Sequence, residues 1–332
     1  MNATLTTVPA TTTPAGPAHA PRQLRWLLRL HRPALLAGAA LVLLTGAGLL
    51  WLGGPLADAS AAAWKRYNAC AFDERCSYDQ DAVIRFKDVY NYTTYAVLAV
   101  PFLVAAWAGG SLTGRETESG TARLAWTQGV SPTRWLASRL AFPAVLVLAA
   151  TGLLTLLHRL AWTGTGDRID TALAWDHYPT FYANGTVPVA LALAGLAIGV
   201  LAGLVLRRAV AALAVATAAL GALWAAVHSF LPHLWPAVTR VTGLREGPRG
   251  EGIWVGQGVL TADGDRLDAP CLTGMLPGCE TSLSDLGAVS FYRDIHPAAH
   301  YWPLQLVASG VILAVAALLV LAAFRLLRHR TP

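Results

Sequence analysis

Six apolar stretches recur along the 332-residue chain, each close to the 20 or so residues that a helix needs to cross the roughly 30 Å core of a bilayer. They are Pro33–Leu52, Tyr95–Leu112, Ala137–Leu157, Pro188–Leu206, Ala209–Leu231 and Pro303–Phe324. Only 13% of the residues are charged, about half the share in an ordinary soluble domain. The sequence therefore predicts an all-α integral membrane protein with six transmembrane helices.

The distribution of charge predicts how these helices are oriented. With the N-terminus inside, 13 basic and two acidic residues face the cytoplasm, whereas 12 basic and 17 acidic residues face the other side. Basic residues in short loops favour the cytoplasm, so both termini are predicted to be cytoplasmic in a multi-pass protein of the plasma membrane. The net charge of +6 includes no basic run with interleaved aromatic residues, and no nucleic-acid partner is expected.

The N-terminal region has two parts. Residues 1–21 are rich in Thr, Pro and Ala, a composition that favours a disordered cytoplasmic tail. Residues 22–32 combine four arginines with an apolar face, which predicts an amphipathic helix in the membrane interface. An ordinary basic flank that only fixes the topology is an equally good interpretation. Residues 33–231 then carry transmembrane helices 1–5.

The last long loop is predicted to be a small extracytoplasmic domain, residues 232–301, followed by transmembrane helix 6 and a basic tail in residues 302–332. Two short β-prone runs, 253–255 and 259–261, predict a β-hairpin there. Cys70 and Cys76 lie in the first outside loop, and Cys271 and Cys279 lie in this one. Disulfides within each pair are favoured in an oxidising compartment, although four cysteines allow three pairings.

Candidate chemical groups do not combine into a catalytic site. His296 and His300 are spaced like metal ligands, but Pro297 lies between them and Tyr301-Trp302 follow. This run is more typical of an aromatic belt at the membrane surface, so we predict no metal, no cofactor and no catalytic residue. None of the spans carries a charge near its centre, and the chain contains no phosphate-binding Gly-Lys-Ser/Thr motif. Driven transport would therefore need a partner that supplies the energy.

A glycine stripe marks the fourth apolar stretch. Gly195, Gly199 and Gly203 recur every fourth residue and so lie on one face of a helix. Small residues let a second helix approach closely in a membrane. The stripe predicts tight helix packing, either within one chain or between two copies.

The loop 113–136, between the second and third stretches, is the one extended cytoplasmic loop. It contains Arg115-Glu116-x-Glu118-x-Gly120-Thr121, then Trp126-Thr-Gln, then Ser131-x-x-Arg134-Trp135. Residues 122–128 are predicted to form a short helix, and Ser131-Pro132 is a helix-start signal. Its length and mixed charge predict a docking surface for a cytosolic protein.

These motifs resemble the first cytoplasmic loop of type-2 ABC exporter permeases, and they are especially similar to the actinobacterial branch. The resemblance extends over nearly the whole chain after residue 21. It implies a non-catalytic permease subunit that pairs with a second permease copy or a paralogue in the lipid membrane. It also implies that a cytosolic ABC ATPase subunit docks at Glu116, Glu118, Gly120, Thr121 and Arg123.

The sequence therefore favours a permease subunit that exports a hydrophobic or amphipathic compound, with ATP hydrolysis in the partner chain. The alternative is a membrane sensor or assembly factor whose external domain binds a ligand or a protein. An enzyme that uses His296 and His300 is the least favoured hypothesis.

Overall fold

The structure is a computed structural model that describes residues 29, 31–70, 77–166, 168–169, 173–268, 283 and 285–330. The predicted tail 1–21 lies outside these residues, as do nearly all of the predicted interfacial helix 22–32 and Cys76, Cys271 and Cys279. The chain divides into two compact units, residues 1–40 and 41–332, and the contacts described below lie within the second.

Helices account for most of the described residues. In chain order they are α1 (Arg32–Trp51), α2 (Ala57–Asn68), α3 (Gln80–Trp107), α4 (Arg115–Glu118), α5 (Thr121–Thr127), α6 (Pro132–Thr165), α7 (Tyr178–Ala183), α8 (Val187–Leu206), α9 (Ala209–Phe230) and α10 (Tyr301–Arg330). π-Helical turns at Leu52–Leu56 and Ala108–Gly114 join α1 to α2 and α3 to α4, and 3₁₀ turns lie at Leu231–His233 and Ala298–His300.

Within the described residues, six helical segments are long and apolar enough to cross a membrane, which confirms the predicted number. They are Arg32–Asn68, Gln80–Glu118, Pro132–Thr165, Val187–Leu206, Ala209–His233 and Ala298–Arg330, numbered here as spans 1–6. Span 2 begins 15 residues before the predicted start at Tyr95 because polar residues extend the helix beyond its apolar part. Asp79 caps this extension by accepting a hydrogen bond from the Ala82 amide at 3.0 Å.

A four-stranded antiparallel sheet lies between spans 5 and 6, so the fold is mostly rather than wholly helical. Its strands are β1 (Val238–Gly243), β2 (Ile253–Thr261), β3 (Arg266–Leu267) and β4 (Ala288–His296), in the spatial order β1-β4-β2-β3. The predicted hairpin was wrong in detail, because residues 253–255 and 259–261 belong to one strand. Register shifts after Trp254 and Leu260 let β2 continue along β4.

Helix α8 forms the centre of the helical bundle and packs against α3, α6, α9 and α10. Its glycine stripe faces span 2 of the same chain. A Cβ atom on Gly199 would lie 2.6 Å from the Ala108 Cβ, and one on Gly195 would lie 2.8 Å from the Pro101 carbonyl oxygen. These distances are shorter than van der Waals contact. The backbones of α8 and span 2 can therefore approach so closely only because the glycines have no side chain.

Hydrogen bonds and ring contacts hold the end of α6 that lies nearer the sheet. The His158 ring lies between the Thr94 hydroxyl, 2.8 Å from Nε2, and the Asn184 side-chain oxygen, 2.6 Å from Nδ1. The Arg159 guanidinium lies over the rings of Tyr301 and Trp302, 5.2 and 4.7 Å from their centroids. These contacts connect α6 to α3, to the segment after α7 and to α10.

The short helix α7 is buried beside this network. Gln305 of α10 donates a hydrogen bond to the Phe181 carbonyl at 2.6 Å and accepts one from the Val187 amide at 3.2 Å. One side chain thus satisfies backbone groups at the end of α7 and the start of α8, which no water in the bilayer could satisfy.

Cys70 follows α2 and is disulfide-bonded. The three other cysteines lie outside the described residues. The pairing of Cys70 with Cys76 and of Cys271 with Cys279 stays a prediction.

Candidate functional site

The loop 113–136, called the coupling loop below, begins as a direct continuation of span 2. The π-helical turn Ala108–Gly114 runs into α4 without a break. The Thr117 hydroxyl donates hydrogen bonds to the carbonyls of Thr113 and Gly203, at 2.9 and 3.1 Å. Helix α4 therefore forms the end of span 2 and is attached to the end of α8.

Glu116 turns inward from α4 and forms an ion pair with Arg139 of α6. The Arg139 Nη2 lies 2.7 Å from Oε1, and its Nε lies 3.1 Å from Oε2. The Trp135 indole also donates a hydrogen bond to Oε2 at 3.2 Å. Both charged side chains are less than a tenth exposed. This two-point geometry fixes orientation as well as distance, so α4 and α6 are clamped together.

Glu118 forms the second connection between α4 and a neighbouring span. Its Oε2 accepts a hydrogen bond from the Ala209 amide at 2.8 Å. Ala209 is the first residue of α9, where backbone amides lack partners within the helix and the helix dipole favours a negative charge. Glu118 thus caps span 5 from the coupling loop.

Helix α5 forms the outer part of the coupling loop. Gly120 has a φ of 74°, a left-handed conformation that suits glycine, and it turns the chain between α4 and α5. Thr121, Arg123 and Leu124 are exposed on α5; Leu124 is a large apolar side chain that is 58% exposed. Arg123 also lines a small cavity at the ends of α8 and α10.

Aromatic packing joins α5 back to the start of α6. The rings of Trp126 and Trp135 meet edge to face with centroids 5.8 Å apart. The Ser131 hydroxyl accepts a hydrogen bond from the Arg134 amide at 3.3 Å, and Pro132 is the first residue of α6. The Ser-Pro start that the sequence indicates is therefore present, and it places Trp135 and Arg139 on the side of α6 that faces Glu116.

The five residues predicted to contact an ATPase separate into two groups. Glu116 is buried and already bonded, whereas Glu118, Thr121 and Arg123 are exposed and Gly120 forms the turn between them. Sequence reasoning missed Arg139 and Trp135 as partners of Glu116. An isolated arginine near an apolar helix, opposite a loop with only two acids, is the signal that could have indicated the pair.

The histidine pair that is spaced like metal ligands, His296 and His300, lies at the junction of the sheet and span 6. His296 Nε2 donates a hydrogen bond to the Pro232 carbonyl at 2.8 Å, and its Nδ1 lies 3.1 Å from the Nδ1 of His300. Burial lowers the pKa of His296. Among the described residues, no group of three or more His, Cys, Asp or Glu side chains is arranged to hold a metal ion.

A comparison with known families identifies the helical part of the chain. Residues 23–231 match the family described as ABC-2 membrane transporter related, a range that ends with span 5 and includes the whole coupling loop. No curated protein and no solved structure matches the chain at a significant level. Six membrane-capable helices and this match over more than half of the chain together show that the protein belongs to the ABC-2 membrane transporter-related family, as a multi-pass transport permease of the plasma membrane.

Proposed function

We propose that this chain is the membrane-spanning subunit of an ATP-driven exporter for a hydrophobic or amphipathic compound, and that a separate cytosolic ABC ATPase supplies the energy. In this proposal both termini and the coupling loop lie in the cytoplasm, and the sheet lies outside. A second permease copy or a paralogue completes the path through the lipid membrane. The family match favours transport over the sensing alternative.

The observation that carries the proposal is the set of connections between the coupling loop and the spans. Glu116 bonds to span 3, Thr117 to span 4 and Glu118 to span 5, while α4 itself continues span 2. A force on this loop would therefore act on four spans at once. Packed side chains and hydrogen bonds between rigid helices can carry coupling between distant sites.

The exposed face of α5 is the part of this loop that we assign to the ATPase. Leu124 and Thr121 are exposed there, and no described acidic side chain forms an ion pair with Arg123. An exposed apolar residue with polar neighbours is typical of a docking surface. Glu116 has a positioning role in this proposal, since its carboxylate is bonded to Arg139 and Trp135.

Co-expression with a candidate ATPase tests the proposal. We expect a membrane complex, and Leu124→Asp should abolish both its assembly and its ATP-dependent transport by placing a charge in the apolar contact. Trp254→Ala is the matched control, because Trp254 is 56% exposed on β2 and far from α5 in the chain. Normal transport without any ATPase, or equal loss in both variants, would contradict the proposal.

A further inference from the structure

A small cavity lies between α5, the end of α8 and the end of α10. Its volume is about 80 Å³, room for several water molecules since one needs roughly 10–15 Å³ of such space. Arg123, Arg207 and Arg330 line it together with Trp126, and Leu204 and Leu327 supply apolar contact. The cavity lining therefore combines three positively charged side chains with apolar ones.

The positive charge of this cavity has no counter-charge in the described part of the chain. No acidic side chain lines it, and none of its arginines takes part in the ion pairs formed by described residues. The two acids of the coupling loop are engaged elsewhere, Glu116 with Arg139 and Glu118 with the Ala209 amide. Three guanidinium groups around so small a volume repel one another unless an anion joins them.

The backbone holds two of these arginines in place. Arg330 donates a hydrogen bond to the Leu204 carbonyl at 2.8 Å. Arg207 has a φ of 53°, the only positive φ among the described non-glycine residues, and its amide bonds to the Gly203 carbonyl at 3.1 Å. A left-handed backbone conformation strains an arginine, whereas glycine would adopt it without cost. The guanidinium is therefore present at this position despite the backbone strain.

Trp126 adds a hydrogen-bond donor that lacks an acceptor. Its indole nitrogen is buried and has no hydrogen-bond partner among the described residues, and its ring packs against that of Trp135. A buried polar group without a partner is unusual in a folded protein. A ligand oxygen in the cavity would satisfy it.

We propose that this cavity binds a phosphate group. Phosphate offers several strong acceptor oxygens, and guanidinium groups match its geometry with paired hydrogen bonds. Two sources share this chemistry, the headgroup of a phospholipid and free inorganic phosphate. Leu326 also lines the cavity and is partly exposed, which suits the first source, because an acyl chain can lie against it while the headgroup enters the cavity.

Binding to the purified full-length chain in detergent tests the proposal, with inorganic phosphate, phosphatidylglycerol and diacylglycerol as separate probes. We expect phosphatidylglycerol or phosphate to bind and diacylglycerol, which lacks phosphate, not to bind. Arg207→Gly and Arg330→Gln should each weaken binding at least tenfold, and Trp126→Phe should weaken it a few-fold. Arg207→Gly suits the positive φ, so it removes the charge without harming the fold.

Arg325→Gln is the matched control, since Arg325 lies on the same helix, is exposed and does not line the cavity. Binding of phosphatidylglycerol alone would identify a lipid headgroup as the source, and equal binding of phosphate would identify the free anion. Absence of binding by both, or the same loss in Arg325→Gln, would overturn the proposal. No ATPase takes part, so this outcome is separate from that of the proposed function.

Discussion

Helix α6 is held at its loop end by a buried ion pair and at its sheet end by the hydrogen bonds of His158 and the ring contacts of Arg159. Arg139 bonds to a carboxylate on one side, whereas His158 bonds to a hydroxyl and an amide on the other. A buried charge left without its partner costs far more than a neutral group in the same position. The loop end should therefore depend mainly on the Glu116–Arg139 ion pair, and the sheet end should tolerate the loss of any single hydrogen bond of His158.

This difference would suit different roles for the two ends of α6 in the proposed transport. A rigid Glu116–Arg139 connection between α4 and α6 would transmit a displacement of the coupling loop to span 3. A network of weaker contacts among α3, α6, α8 and α10 would let the opposite end rearrange during transport. The variants below test this contrast in order of decreasing expected effect.

Glu116→Ala should have the largest effect, because it removes the carboxylate that pairs with the buried Arg139. We expect a loss of about 3–5 kcal/mol in unfolding free energy, measured by equilibrium unfolding in mixed micelles. The double variant Glu116→Leu/Arg139→Leu removes both charges and should recover most of that loss. A loss below about 1 kcal/mol in Glu116→Ala, the value of an exposed ion pair, would show that the Glu116–Arg139 pair does not hold α4 firmly to α6.

Gly199→Ala should come second, since its new methyl group would meet Ala108 Cβ at 2.6 Å and the Gly109 amide nitrogen at 2.7 Å. Overpacking of this kind costs about 1–3 kcal/mol, and the same unfolding measurement checks it. Gly152→Ala is the matched control in α6, where a Cβ atom would meet nothing within 4 Å. Equal stability of the two variants would disprove close contact between α8 and span 2.

His158→Ala should have the smallest effect of the three. Hydrogen bonds between membrane helices contribute about 0.6 kcal/mol on average, so the loss of two should cost about 1–2 kcal/mol. Asn184→Ala should cost less, and the double variant should cost less than the sum because the residues share a bond. A loss in His158→Ala as large as in Glu116→Ala would remove the contrast between the two ends.

Sequence patterns predicted the features that depend on local spacing. Hydropathy located all six membrane-capable helices, and the four-residue period of Gly195, Gly199 and Gly203 predicted a face that does pack tightly. Both signals come from helix geometry, which is fixed within a few residues. Helix ends were less accurate, because polar residues continue α3 beyond its apolar part.

Features that depend on distant partners were not predicted. Strand β1 pairs with β4, so that Val238 meets Ile295 across 57 residues of chain, and no local pattern encodes that register. The clamp likewise needs α4 and α5 to fold back until Glu116 reaches Arg139. The sequence indicated the residues of the loop, but only the fold separates the buried carboxylate from the exposed face of α5.

Site-specific photo-crosslinking tests most directly whether that face docks an ATPase. A benzophenone amino acid would replace Leu124 on α5 in cells, and the same group at Val241, 57% exposed on β1, would be the control. We expect the benzophenone group at position 124 to capture a protein that carries a phosphate-binding loop and an ABC signature, as identified by peptide mass spectrometry, and the group at position 241 not to capture one. Capture of such an ATPase at Val241 and not at Leu124 would contradict it.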